Sequence, residues 1–112
     1  MTEPAPGRWR RGRLHHAGDG PATGEVSDVV TRVGGVVVEE IRSGELAAPV
    51  DYLAVVDEWV VLLAGAAALV VDGEPVELAA GDWLLLPAGT PHTLARTEPG
   101  THWLTVTATE TR

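Results

Sequence analysis

From Glu25 onward the apolar positions fall into short runs rich in Val, Leu and Thr, separated by Gly, Pro and Asp. Runs of this length, bounded by turn-forming residues, predict strands, and their close spacing predicts an all-β sandwich or barrel. The pattern places strands near Val26–Thr31, Val36–Ile41, Val50–Val55, Glu58–Leu63, Ala67–Val71, Pro75–Leu78, Asp82–Leu86, His92–Arg96 and Trp103–Thr107. The longest apolar run, Trp59–Val71, exceeds the usual length of one strand, and Gly65 is where it divides. Ala64–Val71 also has the Ala and Leu content of a helix, but its β-branched flanks and the Asp-Gly stop favour a strand. Asp72-Gly73 supplies the two positive φ values of a type I′ hairpin turn, which pins one register.

Residues 1–24 break this texture: Pro4, Pro6, Gly7, Gly12, Gly18, Gly20, Pro21 and Gly24 predict an irregular arm, with Trp9 and Leu14 as its anchors. The strand-rich domain then covers 25–112, with no internal repeat or second linker. At 112 residues the chain has room for one core. Charge is also divided between the start of the arm and the rest of the chain. Residues 1–16 carry four Arg against Glu3, a balance of +3, and the other four Arg face fifteen acids, a balance of −11. An acidic body is the wrong field for phosphate, which argues against nucleic acid as the main partner, and four Arg in the arm are a weak footprint. The expected state of the arm is a solvated tail or a segment lying against its own acidic domain or a partner subunit.

The chain has no cysteine, which excludes disulfides, thiolate metal sites and a Cys nucleophile. No phosphate-cradling Gly-rich loop and no nucleophile-elbow Ser is present. The N-terminal Arg residues are not followed by an apolar stretch of signal-peptide length, and Trp59–Val71 is short of a membrane span, so the expected location is the cytoplasm.

The candidate chemistry lies in two stretches. Gly81–His92, GDWLLLPAGTPH, spaces Gly81, Pro87, Gly89 and His92 so that a turn, a short strand, a second turn and a new strand follow one another. Upstream, EWVVLLAG spans Glu58 to Gly65. Together these resemble the two motifs of the cupin superfamily over about residues 35–108. The resemblance extends to a group of small bacterial cupins with a Tyr before EWV and a Trp-Leu pair in the last strand, here Tyr52 and Trp103-Leu104.

That resemblance implies a small antiparallel jelly-roll barrel whose motifs supply three His and one Glu to a divalent metal such as Zn, Fe, Mn or Ni. His92 and Glu58 match the ligand positions, while the paired histidines fall on Tyr52 and Ala54. Two donors are fewer than a tight site needs, and a phenol with a pKa of about 10 is a poor third. Further donors would have to come from His102, Asp51, Asp57 or the adjacent His15-His16 pair. Strand parity turns Asp57 away from Glu58. Parity also allows only one of His102 and Trp103 to face the interior, and the larger apolar gain favours Trp103, leaving His102 outside or at an interface. Arg96, four residues after His92, shares its parity, which offers either an anion-binding group or the partner of an acid.

The leading expectation is a small organic ligand bound in the barrel by Tyr52, Glu58, His92 and Arg96, with a degenerate metal site. The alternatives are a metal-dependent enzyme of isomerase, hydrolase or oxygenase type built on Glu58 and His92, and a non-catalytic structural or regulatory module. Open sheet edges, together with the pairing habit of small cupins, predict a homodimer.

Overall fold

The computed structural model describes residues 8–109; the rest of the expected arm, residues 1–7, and the last three residues lie outside the described part. The strands are β1 (Glu25–Val33), β2 (Val36–Ser43), β3 (Val50–Leu53), β4 (Glu58–Ala64), β5 (Ala66–Val71), β6 (Glu74–Ala79), β7 (Trp83–Leu86), β8 (Pro91–Thr97) and β9 (Thr101–Ala108). They form a five-stranded sheet in the order β1-β2-β9-β4-β7 and a four-stranded sheet in the order β3-β8-β5-β6. Every strand pairing is antiparallel. The fold is therefore a two-layer jelly roll.

Alternation along each strand sends one set of side chains between the layers. Val60 and Leu62 of β4, Ala67 and Leu69 of β5, Leu78 of β6, Leu86 of β7, Leu94 of β8 and Trp103 of β9 form the buried core. Each larger member contributes about 1.5–3 kcal/mol by leaving water. Asp72 (φ 49°) and Gly73 (φ 83°) make the type I′ turn between β5 and β6.

Gly65 does more than divide a long run. It is the single residue between β4 and β5, which belong to different sheets, so the chain crosses from one layer to the other there. Its φ of +86° is left-handed, and a Cβ at this position would stand 2.6 Å from the Cα of Thr101 and closer still to that residue's hydroxyl. Gly65 thus satisfies a conformational and a steric requirement together.

The segment before β1 is attached to the outer face of the five-stranded sheet. Gly24 and Glu45 donate to each other's side of a short backbone ladder, Gly24 N–H to Glu45 O (3.0 Å) and Glu45 N–H to Ala22 O (3.0 Å). Arg42 Nη1 donates to Asp19 O at 3.0 Å, and the His15 backbone N–H donates to the Glu40 carboxylate. Leu14 is half-buried, as expected of an anchor. Trp9 is 78% exposed, so it does not serve as one, and His15 takes that place.

Gly65→Ala is expected to cost about 3 kcal/mol or more, from the positive φ and the collision with Thr101 combined. Gly73→Ala, with the same φ but open space around it, should cost about 1 kcal/mol. Urea unfolding of both variants checks the difference; equal costs would remove the steric role of Thr101.

Candidate functional site

Between the inner faces of the two sheets lies an open cavity of about 120 Å³ whose lining includes Glu25, Tyr52, Glu58, His92, Trp103 and Thr105. Glu58 opens β4 on the face of Val60 and Leu62, opposite Leu86 and Thr107 on its neighbours. His92 is buried on β8, and Tyr52 is its direct cross-strand partner on β3. The two rings stack at 5.5 Å between centroids with 18° between planes. Tyr52 and Glu58 do not share one strand: the chain breaks after Leu53, β3 joins the four-stranded sheet and β4 the five-stranded one. They approach from opposite layers.

Two further groups complete the polar end. Glu25, the first residue of β1, accepts from the Tyr52 hydroxyl at 3.0 Å and from Ser43 Oγ at 2.6 Å. Ser43 in turn accepts from the Trp103 indole N–H at 3.0 Å. The indole, the hydroxyl and the phenol are thus joined to one carboxylate across both sheets, a satisfied network in which each bond polarises the next. Nothing in the sequence marked Glu25, because it lies outside both motifs and beside no apolar alternation.

Burial pushes the Glu58 carboxyl above its usual range, and Glu39, on the cavity-facing side of β2, adds to the rise; His92 and a hydrogen bond from Thr107 offset part of it. Burial also pushes the Tyr52 phenol up to about 12, with Glu25 and Glu58 adding to the effect. It is therefore a proton donor near neutral pH. His92 Nδ1 lies 3.2 Å from Thr90 O, an arrangement in which Nδ1–H donates to that carbonyl.

Arg96 is not part of this cavity. Leu94 pairs with Leu69 and Arg96 with Ala68, so Ala95 is an extra residue, a bulge that reverses the parity of the strand beyond it. Arg96 consequently lies on the outer surface, 3.9 Å from Glu77. The same face holds Asp51, which accepts from Thr93 Oγ1 at 2.7 Å. Asp57 caps the turn before β8 by accepting from Ala88 N–H at 2.9 Å.

Trp103 and His102 take opposite faces of β9, yet both are buried, at 4% and 5% exposure. His102 is covered rather than outside, and its Nε2 lies 2.8 Å from Glu40 Oε2. Glu40 also meets His15, whose Nδ1 is 2.5 Å from Oε1. Burial alone would raise the Glu40 pKa; hydrogen bonds from His15 and His102 outweigh it and hold the carboxyl below its usual range. Among the described residues, the three metal-ligating side chains whose donor atoms lie within 4.8 Å of one another are His15, Asp28 and Glu40, on this outer face.

A two-layer jelly roll with a cavity opening between its sheets, bearing a Glu on β4 and a His at the start of β8, defines a cupin-type site. The cupin domain model matches residues 37–107, and the chain belongs to the cupin family. A provisionally assigned mannose-6-phosphate isomerase from Ralstonia eutropha JMP134 is similar to it at 30% identity, over 89% of this chain and 100% of that one, with a TM-score of 0.76. KdgF from Halomonas sp. has the same fold at 18% identity, over 78% and 82% of the two chains, with a TM-score of 0.70. A salicylate 1,2-dioxygenase variant from Pseudoaminobacter salicylatoxidans, in complex with gentisate, has it at 21% identity, over 79% of this chain and 27% of that one, with a TM-score of 0.62. No curated protein sequence matches the chain. Among the described residues no helix is long and apolar enough to cross a membrane.

The family implies a divalent metal in the cavity, and the residues present do not fit a tightly held one. Ala54 has no donor atom, the Tyr52 phenol stays protonated on Glu25, and Glu58 and His92 belong to no group of three gathered donors among the described residues.

Because the folded state raises the Glu58 pKa, it binds more protons than the unfolded chain above the ordinary value of 4.5. Stability then falls as pH rises through the interval from 4.5 to the raised value, and the full cost persists above it. Glu58→Gln should raise the melting temperature at pH about 7.5, with the gain disappearing below pH about 4. A gain that is independent of pH would show that the charge is not its source.

Proposed function

We propose that this cupin binds a small organic molecule in the cavity between its sheets, without a resident metal, and that the molecule is neutral and hydroxylated or carries an amine. The observation that carries this reading is the sign of the lining. Glu25 and Glu58 offer acceptor oxygens, while no Arg or Lys among the described residues lines the space. An anionic ligand would meet two carboxylates with no fixed cation to offset them. At 120 Å³ the cavity is close to the roughly 150 Å³ that holds a benzene-sized guest, so it takes a six-membered ring or the end of a larger molecule. Tyr52, 43% exposed and stacked on His92, supplies a flat wall at the mouth.

The Ralstonia relative is assigned to a phosphorylated sugar. With Arg96 outside, no Arg among the described residues lines the cavity to hold that phosphate. The protein acts in this reading as a cytoplasmic binder, and the missing cysteines suit a reducing compartment.

Its partner is a second copy of the chain. Trp59 and Val61 of β4 share the outer face with Trp83 and Leu85 of the edge strand β7. Trp83 is 59% and Leu85 60% exposed, and an apolar patch beside an unpaired edge is the feature that a homodimer covers.

Trp103 fluorescence and thermal shift, read with cyclohexylamine, xylose, xylose 5-phosphate and benzoate, test the ligand class. The amine or the neutral sugar should bind and the two anions should not, and Glu58→Gln should weaken binding at least about tenfold. Tighter binding of the anions, or binding indifferent to Glu58→Gln and Tyr52→Phe, would overturn the reading. Trp83→Asp should convert a dimer to a monomer in light scattering; a monomeric wild type removes the partner.

A further inference from the structure

The outer face of the five-stranded sheet carries a second group of side chains that the cavity does not use. Glu40 is 3% exposed, which is unusual for a carboxylate, and its two oxygens have different surroundings. Oε2 is held by His102 Nε2 at 2.8 Å, inside the fold. Oε1 faces His15 Nδ1 at 2.5 Å, on the side of the arm. His15 Nδ1 in turn lies 4.0 Å from Asp28 Oδ2, on β1. One oxygen of a buried carboxylate is thus fixed from behind by an imidazole, while the other meets a second imidazole that a second carboxylate also approaches. Asp28 is oriented in the same way, since Arg42 Nη2 donates to its Oδ2 at 3.0 Å. Ligands of metal sites are steered by this kind of outer partner.

Spacing and access agree with the donor types. Donors around a tetrahedral zinc-class ion, each about 2.0–2.2 Å from it, stand about 3.3 Å from one another. The His15–Glu40 and His15–Asp28 separations of 2.5 and 4.0 Å bracket that value, all three donor atoms lie within 4.8 Å of one another, and the His15 side chain is 48% exposed. The three donors line a cleft of about 470 Å³ between the arm and β1, which leaves room for water to complete the coordination; the exposed Arg10, Arg11 and Arg13 of the arm share this lining. Arg42 lies close by, with its charge directed to Asp28.

We infer that His15, Asp28 and Glu40 bind a divalent cation of the zinc class, which clamps the N-terminal arm to the sheet. The site is separate from the Glu58–His92 cavity, because β2 and β9 present opposite faces to the two places. It joins three segments that are distant in sequence: the arm, β1 and β2. In the absence of the ion, the His15–Glu40 hydrogen bonds hold the arm more weakly.

The test is calorimetric titration of Zn²⁺ into the EDTA-treated full chain, with trypsin cleavage at the arm arginines followed in parallel. The wild type should take up one equivalent at this site and be cleaved more slowly with Zn²⁺ present. His15→Ala and Asp28→Asn should each weaken that uptake at least about tenfold and abolish the protection. Both positions are partly exposed, so both variants should remain folded. His16→Ala and the double variant Glu58→Gln/His92→Ala should leave uptake and protection unchanged. No saturable binding in the wild type would overturn the inference. So would binding that survives His15→Ala, or binding that is lost in His16→Ala or in the cavity variant.

Discussion

The arrangement rests on the central position of β9 in the five-stranded sheet and on the two adjacent residues His102 and Trp103. A strand in the middle of a sheet has no free edge, and its neighbouring side chains must go to opposite faces. Here both faces are covered. Trp103 reaches into the interior and, through Ser43, ties Glu25 and Tyr52 to the same network. His102 points outward to Glu40, a carboxylate that would be costly to bury without its imidazole partners. Each of the two polar clusters is therefore assembled on one side of a single dipeptide, and neither forms correctly unless β9 pairs with β2 in this register.

The outer face of that sheet is divided by residue type. Near β1 and β2 it carries Asp28, Glu40 and Arg42, and the arm lies against them. Near β4 and β7 it is apolar, with Trp59 and Trp83 in ring contact at 6.2 Å. The arm thus shields the part of the face that carries charge and leaves bare the part that buries well against another surface. The described part of the arm meets the acidic body through the hydrogen bonds of His15 to Glu40 and of Arg42 to the Asp19 carbonyl.

Much of the fold was legible in the sequence because its signals are local. Asp72-Gly73, Gly65 and the Gly81–His92 spacing each mark a turn by the chemistry of a few consecutive residues, and strands follow between them. Tyr52, Glu58 and His92 line one cavity because motif spacing carries topology with it. The signal failed where one residue changed the phase of a strand. Arg96 has the parity of His92 on paper, but the Ala95 bulge cannot be read from a run of small and polar residues. It failed as well where a contact depended on a segment without periodicity. His15 and His16 cannot ligate one ion together as neighbours, and their sequence does not show that β1 and β2 bring Asp28 and Glu40 to the first of them. Glu25 was invisible for the same reason, since its role comes from the partner strand.

The Ala95 bulge also bears on how such a site can diverge. Residue identity is not the only variable that sets the electrostatic character of the interior; the count of residues in β8 matters equally. The bulge uses Ala95 and Arg96 where one residue would continue the alternation; if the strand ran regularly through Ala95, Arg96 would share the inward face of His92 and Leu94, with no new side chain introduced. A change of strand phase can therefore alter ligand preference as deeply as several point changes, and comparisons among these small proteins that align residues without counting strand phase will miss it.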